Sequence, residues 1–234
     1  MTGVPQEAVT AFGDLGIVAF TTTRAAGSFG TATDEPVRLV TDRWTALQDE
    51  LAAHGPRLAT ARQVHGDRVL VHGTRWTGWL RSGPADGHAS FDRGTAMAVT
   101  IADCVPVFIA HPSGAIALLH SGWKGTALRI VDRAIAVFTG RALAAADLVV
   151  HLGPAICGRC YEVSPEVHER LTGSAVETPT TVNLRSLIAA HAEAAGVRRI
   201  TVSESCTRCD NDRFYSHRAG DVGRQLAVMV AATE

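Results

Sequence analysis

At 234 residues and 46% apolar composition, the chain can bury a substantial core, and it is read as a single domain over 1–234. The formal net charge of −1, from 22 basic and 23 acidic side chains, offers no basic field to a phosphate backbone and argues against nucleic acid as a partner. The first residues have no basic or apolar signal region, and no apolar run reaches the roughly 18 residues of a membrane span. The expectation is a cytoplasmic protein with no membrane partner.

In chain order, short runs rich in β-branched residues predict strands over 15–20, 69–72, 96–101, 105–110, 115–120, 148–152, 200–203 and 225–230. Helical spacing between them places Trp44, Leu47 and Leu51 on one face behind Thr41. Leu128, Val131, Ile135 and Phe138 share a face between a Thr126 cap and Gly140. A short helix starts at Ser164 with Pro165 in its first turn, and another carries Leu184, Leu187 and Ile188 between Asn183 and Gly196. Residues 25–40 and 73–90, rich in Gly, Thr and Pro, read as long surface loops. The class is mixed α/β. Tight connections within 96–120 favour antiparallel pairing of successive strands over a doubly wound nucleotide fold.

The chemistry concentrates at three strand ends: Gln63-Val64-His65-Gly66, Ala102-Asp103-Cys104-Val105 and His120-Ser121-Gly122-Trp123. Five cysteines, an odd number, in a chain without a signal region point to thiols used for metal or catalysis rather than for disulfides. If His65, Cys104 and His120 converge, one sulfur and two nitrogens suit zinc or copper and disfavour Mg²⁺ or Ca²⁺. Three protein ligands leave a position open, and on zinc such a position brings the pKa of water to about 7. The alternative is three separate structural residues at strand ends. Gly122-Trp123-Lys124-Gly125-Thr126 then makes a glycine-bracketed turn with one Lys beside it, a candidate anion site lacking the Walker A pattern.

Two C-x-x-C pairs, Cys157/Cys160 and Cys206/Cys209, could hold a structural zinc, act in redox chemistry, or pack as thiols near the site. The separation from 160 to 206 far exceeds the roughly 15–20 residues of a zinc ribbon. Arg213-Phe214-Tyr215-Ser216-His217-Arg218 mixes cations and aromatics in a way that could stack on a base and hold an anion, or simply form a solvated loop; Arg24 is a similar case.

Together these strings resemble the laccase-domain, or multicopper polyphenol oxidase-like, family, whose members act as purine nucleoside phosphorylases and adenosine deaminases. The resemblance is carried by TTR at 22–24, RQVHGDRV at 62–69, TIADCVPVFIA at 100–110 and LLHSGWKGT at 118–126. GPAI at 153–156, CYEVSPEV at 160–167 and DRFYSHR at 212–218 extend it over most of the chain. It departs from the family at 28–42, which lacks the usual Asn-Leu-Gly-x-His-like stretch. The resemblance implies metal ligands at His65, Cys104 and His120, a layered α/β sandwich with mixed, largely antiparallel sheets similar to the catalytic domain of cytotoxic necrotizing factor, and zinc, or copper in the same site, as cofactor.

The expected activity is zinc-dependent purine nucleoside phosphorolysis with adenosine deamination and methylthioadenosine phosphorolysis. Purine nucleosides and inorganic phosphate are the expected partners, Arg24, Lys124 and Arg213 the candidate substrate contacts, and a monomer or small homo-oligomer the expected assembly. One alternative is a metal-independent cysteine hydrolase with Cys104 as nucleophile and His120 as base, oriented by Asp103 or a carbonyl. The other is a copper-dependent polyphenol oxidase, although none of the ten histidines forms the His-x-His pairs of a multicopper cluster.

Overall fold

Strands that are apolar on both faces at their centre build two six-stranded sheets that stack face to face. The computed structural model describes residues 3–32 and 34–233. The elements run β1 (Gln6–Ala8), β2 (Ile17–Thr22), α1 (Val37–Leu51), β3 (Arg57–Arg62), β4 (Val69–His72), β5 (Gly78–Pro84), β6 (Gly87–Ser90), β7 (Thr95–Ile101), β8 (Val105–Ala110) and β9 (Ile116–Ser121). Then follow α2 (Trp123–Ala127), α3 (Ile130–Thr139), β10 (Val149–Leu152), β11 (Glu162–Val163), α4 (Pro165–Thr172), β12 (Thr180–Thr181), α5 (Leu184–Ala194), β13 (Arg199–Val202) and β14 (Gln225–Ala231).

The first sheet has the order β1-β2-β14-β7-β3-β5 and the second β13-β10-β8-β9-β6-β4, while β11 and β12 form a separate ribbon. Most pairs are antiparallel, with parallel exceptions at β3–β5, β3–β7, β4–β6 and β10–β13. The period of two sorts each strand between two cores. Met97, Val99, Ile101, Ala227 and Met229 face Phe108, Ile116 and Leu118 between the sheets. Val105, Val107, Ile109, Ala117 and Leu119 face outward beneath α3 and α5, against Ile130, Ile135, Phe138 and Ile188. On the far side, Val40, Trp44, Leu47 and Leu51 of α1 cover Leu58, Ala98, Leu226 and Val228. The result is four layers, α/β/β/α.

Sequence reading placed most strands and helices to within a few residues, and three corrections matter. Strand 96–101 does not pair with 105–110: β7 lies in the first sheet and β8 in the second, so only β8 and β9 form the expected hairpin. The segment 73–90 contains β5 and β6 and is not a loop. The helix assigned to a Thr126 cap begins at Trp123 and is broken where Arg129 turns left-handed (φ 60°), so that α3 starts afresh at Ile130. Asn183 does cap α5, accepting the Ser186 N–H, and Ser164-Pro165 opens α4. Among the described residues no helix is long and apolar enough to cross a membrane.

Candidate metal and catalytic site

Three times the chain passes from the first sheet to the second, in the connections β3 to β4, β5 to β6 and β7 to β8. Each crossing delivers one residue to the same place: His65, Asp86 and Cys104. His120, on β9, is the fourth. The connections are sharp. His65 (φ 60°) and Asp103 (φ 81°) are both left-handed, a conformation that costs a non-glycine residue and persists only where its surroundings hold it.

For His65 the support is Asp86. Its carboxylate accepts the backbone N–H groups of Val64 (3.0 Å), His65 (2.9 Å) and Gly66 (2.8 Å), and also Nδ1 of His120 (2.8 Å). For Asp103 the support comes from the far end of the chain: its carboxylate accepts from Thr207 Oγ1 (2.6 Å) and from the Arg218 N–H (2.8 Å). Asp103 therefore does not orient the His120 imidazole; Asp86 does. Sequence reading missed Asp86 because it lies in the segment read as a loop, where a lone carboxylate carries no local signature.

The donor atoms of His65, Cys104 and His120 all lie within 4.8 Å of one another. The two imidazole rings meet edge to face, 4.9 Å between centroids. His120 is buried, Cys104 half-buried and His65 exposed, so the trio opens on one side to solvent. Burial opposes ionisation of the Cys104 thiol, but the charge of His120 and hydrogen bonds from both imidazoles outweigh it and bring its pKa down to about 6. Burial likewise opposes charge on His120, yet the Cys104 thiolate and the Asp86 carboxylate raise it to about 9. Burial works against Asp86 ionisation too, and the His120 bond and the amides of Gly66 and Val64 still hold its pKa below the ordinary carboxylate value.

A thiolate and two imidazoles, one of them fixed through Nδ1 by a carboxylate, form a donor set suited to zinc or copper. Space for it depends on Gly122. A Cβ there would lie 2.8 Å from Cys104 Sγ and 3.3 Å from His65 Cδ2.

Beyond Gly122 the short α2 carries Lys124, whose ammonium sits 5.5 Å from the centre of the Trp123 ring. Trp123 also lines an open cleft of about 260 Å³ with Tyr161, Ser164, Val167 and Arg218, and the Arg218 guanidinium lies 4.7 Å over the Tyr161 ring. Two other arginines singled out from sequence have internal partners. Arg24 bonds the carbonyls of Asn211 and Phe214 and the Asp221 carboxylate (2.6 Å). Arg213 pairs with Glu7 (3.0 Å). The two C-x-x-C pairs, remote in sequence, come together as a second cluster.

The family model described as multi-copper polyphenol oxidoreductase laccase matches residues 21–232. A purine nucleoside phosphorylase of Streptomyces coelicolor is 33% identical over 206 residues, covering 83% of each chain. An adenosine deaminase from an unknown prokaryotic organism, RL5, is 30% identical over 205 residues, covering 79% of this chain and 78% of its own. The crystal structure of YlmD from Geobacillus stearothermophilus superposes with a TM-score of 0.83 at 28% identity, over 96% of this chain and 94% of that one.

Proposed function

Because the chain belongs to the multi-copper polyphenol oxidoreductase laccase family, and relatives within reach bear the names purine nucleoside phosphorylase and adenosine deaminase, we propose that it processes purine nucleosides at the His65–Cys104–His120 site. The activity we infer is phosphorolysis of purine nucleosides and of methylthioadenosine, together with deamination of adenosine, in the cytoplasm and with zinc as the metal. Copper suits the same donors. The observation that carries this reading is the trio of soft donors, open on one side, followed in sequence by a turn whose Trp123 walls an aromatic and cationic cleft.

When bound, zinc supplies Lewis-acid polarisation of an oxygen nucleophile at neutral pH. The chain's own residues do the rest. Asp86 holds the His120 Nδ1 proton, which leaves Nε2 as the donor facing Cys104. Trp123 offers a face on which a purine can stack, and Lys124 and Arg218, the latter seated over Tyr161, supply positive charge for phosphate. Arg24 and Arg213 would join only by leaving their present partners. Attack of phosphate at the anomeric carbon releases free base and ribose-1-phosphate, and attack of water at C6 of adenosine releases ammonia and leaves inosine.

A second reading draws on one observation. Asp86, His120 and Cys104 stand in the order of an acid, base and nucleophile, and the thiol is acidic. In that cysteine hydrolase His65 only helps lower the thiol pKa and takes no part in proton transfer. Turnover of adenosine, inosine and methylthioadenosine, with and without phosphate, in wild type and His65→Ala separates the two. Loss of activity and of one metal equivalent in the variant supports the metal enzyme. An active, metal-free His65→Ala protein supports the thiol enzyme.

A further inference from the structure

Cys157 and Cys160 lie in the loop after β10, and Cys206 and Cys209 in the loop after β13, yet all four Sγ atoms fall within 4.8 Å of one another. A tetrahedral zinc with Zn–S bonds of about 2.3 Å separates its sulfurs by about 3.8 Å. The Cys160 and Cys209 sulfurs stand 3.5 Å apart. We propose that these four cysteines form a second, structural zinc site, independent of the purine reading above.

The backbone is already shaped for it. Each C-x-x-C closes a tight turn that puts its two sulfurs on one side: Cys160 and Tyr161 donate to the Cys157 carbonyl, and Asp210 donates to that of Cys206. The amides of Cys157 and Cys209 point at Cys206 Sγ, at 3.2 and 3.5 Å, so both turns converge on that sulfur. The first turn can pack against the α5 cap only with glycine at 158, since a Cβ would meet Asn183 Cβ at 2.8 Å. Four thiolates around one Zn²⁺ leave a net double negative charge, and arginines lie nearby. Arg159 and Arg208 fill the second x of each C-x-x-C, Arg208 bonds the Cys160 carbonyl, and Arg185 is anchored on the carbonyls of Ser203 and Ser205. Among the described residues no other sulfur-rich group gathers.

The site has a mechanical consequence. It joins the loop after Ala155 to the loop after Ser205, already linked by an Ala155–Cys206 bridge and a Thr207 N–H to Ala155 carbonyl bond. These two loops hold Asp103: Ile156 donates to its carbonyl and Thr207 to its carboxylate. Asp103 precedes Cys104. The zinc thus fixes the left-handed turn that presents Cys104, while Tyr161, next to Cys160, forms a wall of the cleft.

The test uses full-length His65→Ala/Cys104→Ser protein, in which the first site is disabled, stripped with chelator under reducing conditions and titrated with zinc and with cobalt. The expected result is one equivalent bound, with cobalt showing the thiolate charge-transfer and tetrahedral d–d bands of a four-sulfur site. Adding Cys157→Ser and Cys206→Ser abolishes both. Should that variant not fold, mercurial titration of the folded double variant serves instead, releasing one zinc as its four thiols react. The absence of thiolate–cobalt bands in the double variant, their persistence without Cys157 and Cys206, a Cys160–Cys209 disulfide in freshly isolated protein, or thiols that react equally fast with and without zinc would each overturn the proposal. None of these results depends on whether His65 binds metal.

Discussion

Asp86 and His120 meet at 2.8 Å, and the same carboxylate that accepts the imidazole Nδ1 proton also gathers the amides that hold His65 in its left-handed turn. One side chain thus sets both the tautomer of one proposed ligand and the backbone of another. Asp86→Asn keeps the shape but loses the charge, and its NH₂ faces N–H donors. The expected outcome is metal bound about 10–100-fold more weakly, the range for lost partners of metal-ligating histidines. Chelator competition measures it, and affinity equal to wild type would remove Asp86 from the site.

Gly122 separates site geometry from stability. Its φ of −84° suits any residue, so alanine brings no backbone strain. Its methyl group would nevertheless press on Cys104 Sγ at 2.8 Å. Displacing a catalytic group by a fraction of an ångström to an ångström can cost on the order of 100-fold in rate. Gly122→Ala is expected to lose about that factor in kcat/KM while its Tm stays close to wild type. A large fall in Tm together with unchanged turnover would reverse the assignment.

The parts of this molecule that were legible in the sequence are those whose signal is local. Val105–Ala110 and residues 226–231 are unbroken apolar runs, and Asn183 and Ser164 begin helices with side chains or prolines suited to the role. His65, Cys104 and His120 stood out because soft donors beside glycine or aspartate end apolar runs. What escaped was relational. The strand Gly78–Pro84 is an edge strand with mostly exposed side chains, and Gly87–Ser90 is a four-residue strand of small and polar residues, so neither reads as a strand. The β7 and β8 strands are buried on both faces, and nothing in their composition tells which sheet each joins. Asp86 inherits its role from those crossings, and the four cysteines converge through pairings far apart in sequence.

Arg24 tests whether a cation picked out from sequence serves substrate or scaffold. Its guanidinium satisfies two carbonyls and Asp221, and lies 4.4 Å over the Tyr215 ring. Burial raises the Asp221 pKa, but the bond from Arg24 and the N–H groups of Ser216 and Asn211 outweigh it and keep it below the ordinary value. Arg24→Ala removes one donor from each of these acceptors, although Asn211 and Ser216 still serve Asp221 and Asn211 still serves the Phe214 carbonyl, and a loss of about 1–3 kcal/mol is expected in denaturant melts. The KM for nucleoside should hold near wild type. A rise in KM without loss of stability would return Arg24 to the substrate.

The pair His72 and His88 predicts how the fold responds to acid. The rings stack at 5.1 Å with His72 Nε2 and His88 Nδ1 at 2.9 Å, on neighbouring strands β4 and β6. Burial lowers the pKa of His72; for His88, burial and then the charge of His72 outweigh the pull of Asp86 and bring it to about 3. In the unfolded chain both titrate near 6.5. Between these values the unfolded state binds more protons than the folded one, so stability rises with pH across that window and is lost as pH falls below about 6.5. Each site can contribute a slope of up to about 1.4 kcal/mol per pH unit. His88→Gln cannot take up the proton, and it is expected to cost stability at neutral pH by unsettling a buried contact while flattening the decline between pH about 6 and 4. A decline as steep in the variant as in wild type would place the acid sensitivity elsewhere, with His151, lowered by burial to about 4 against the pull of Glu7, as the next group to replace.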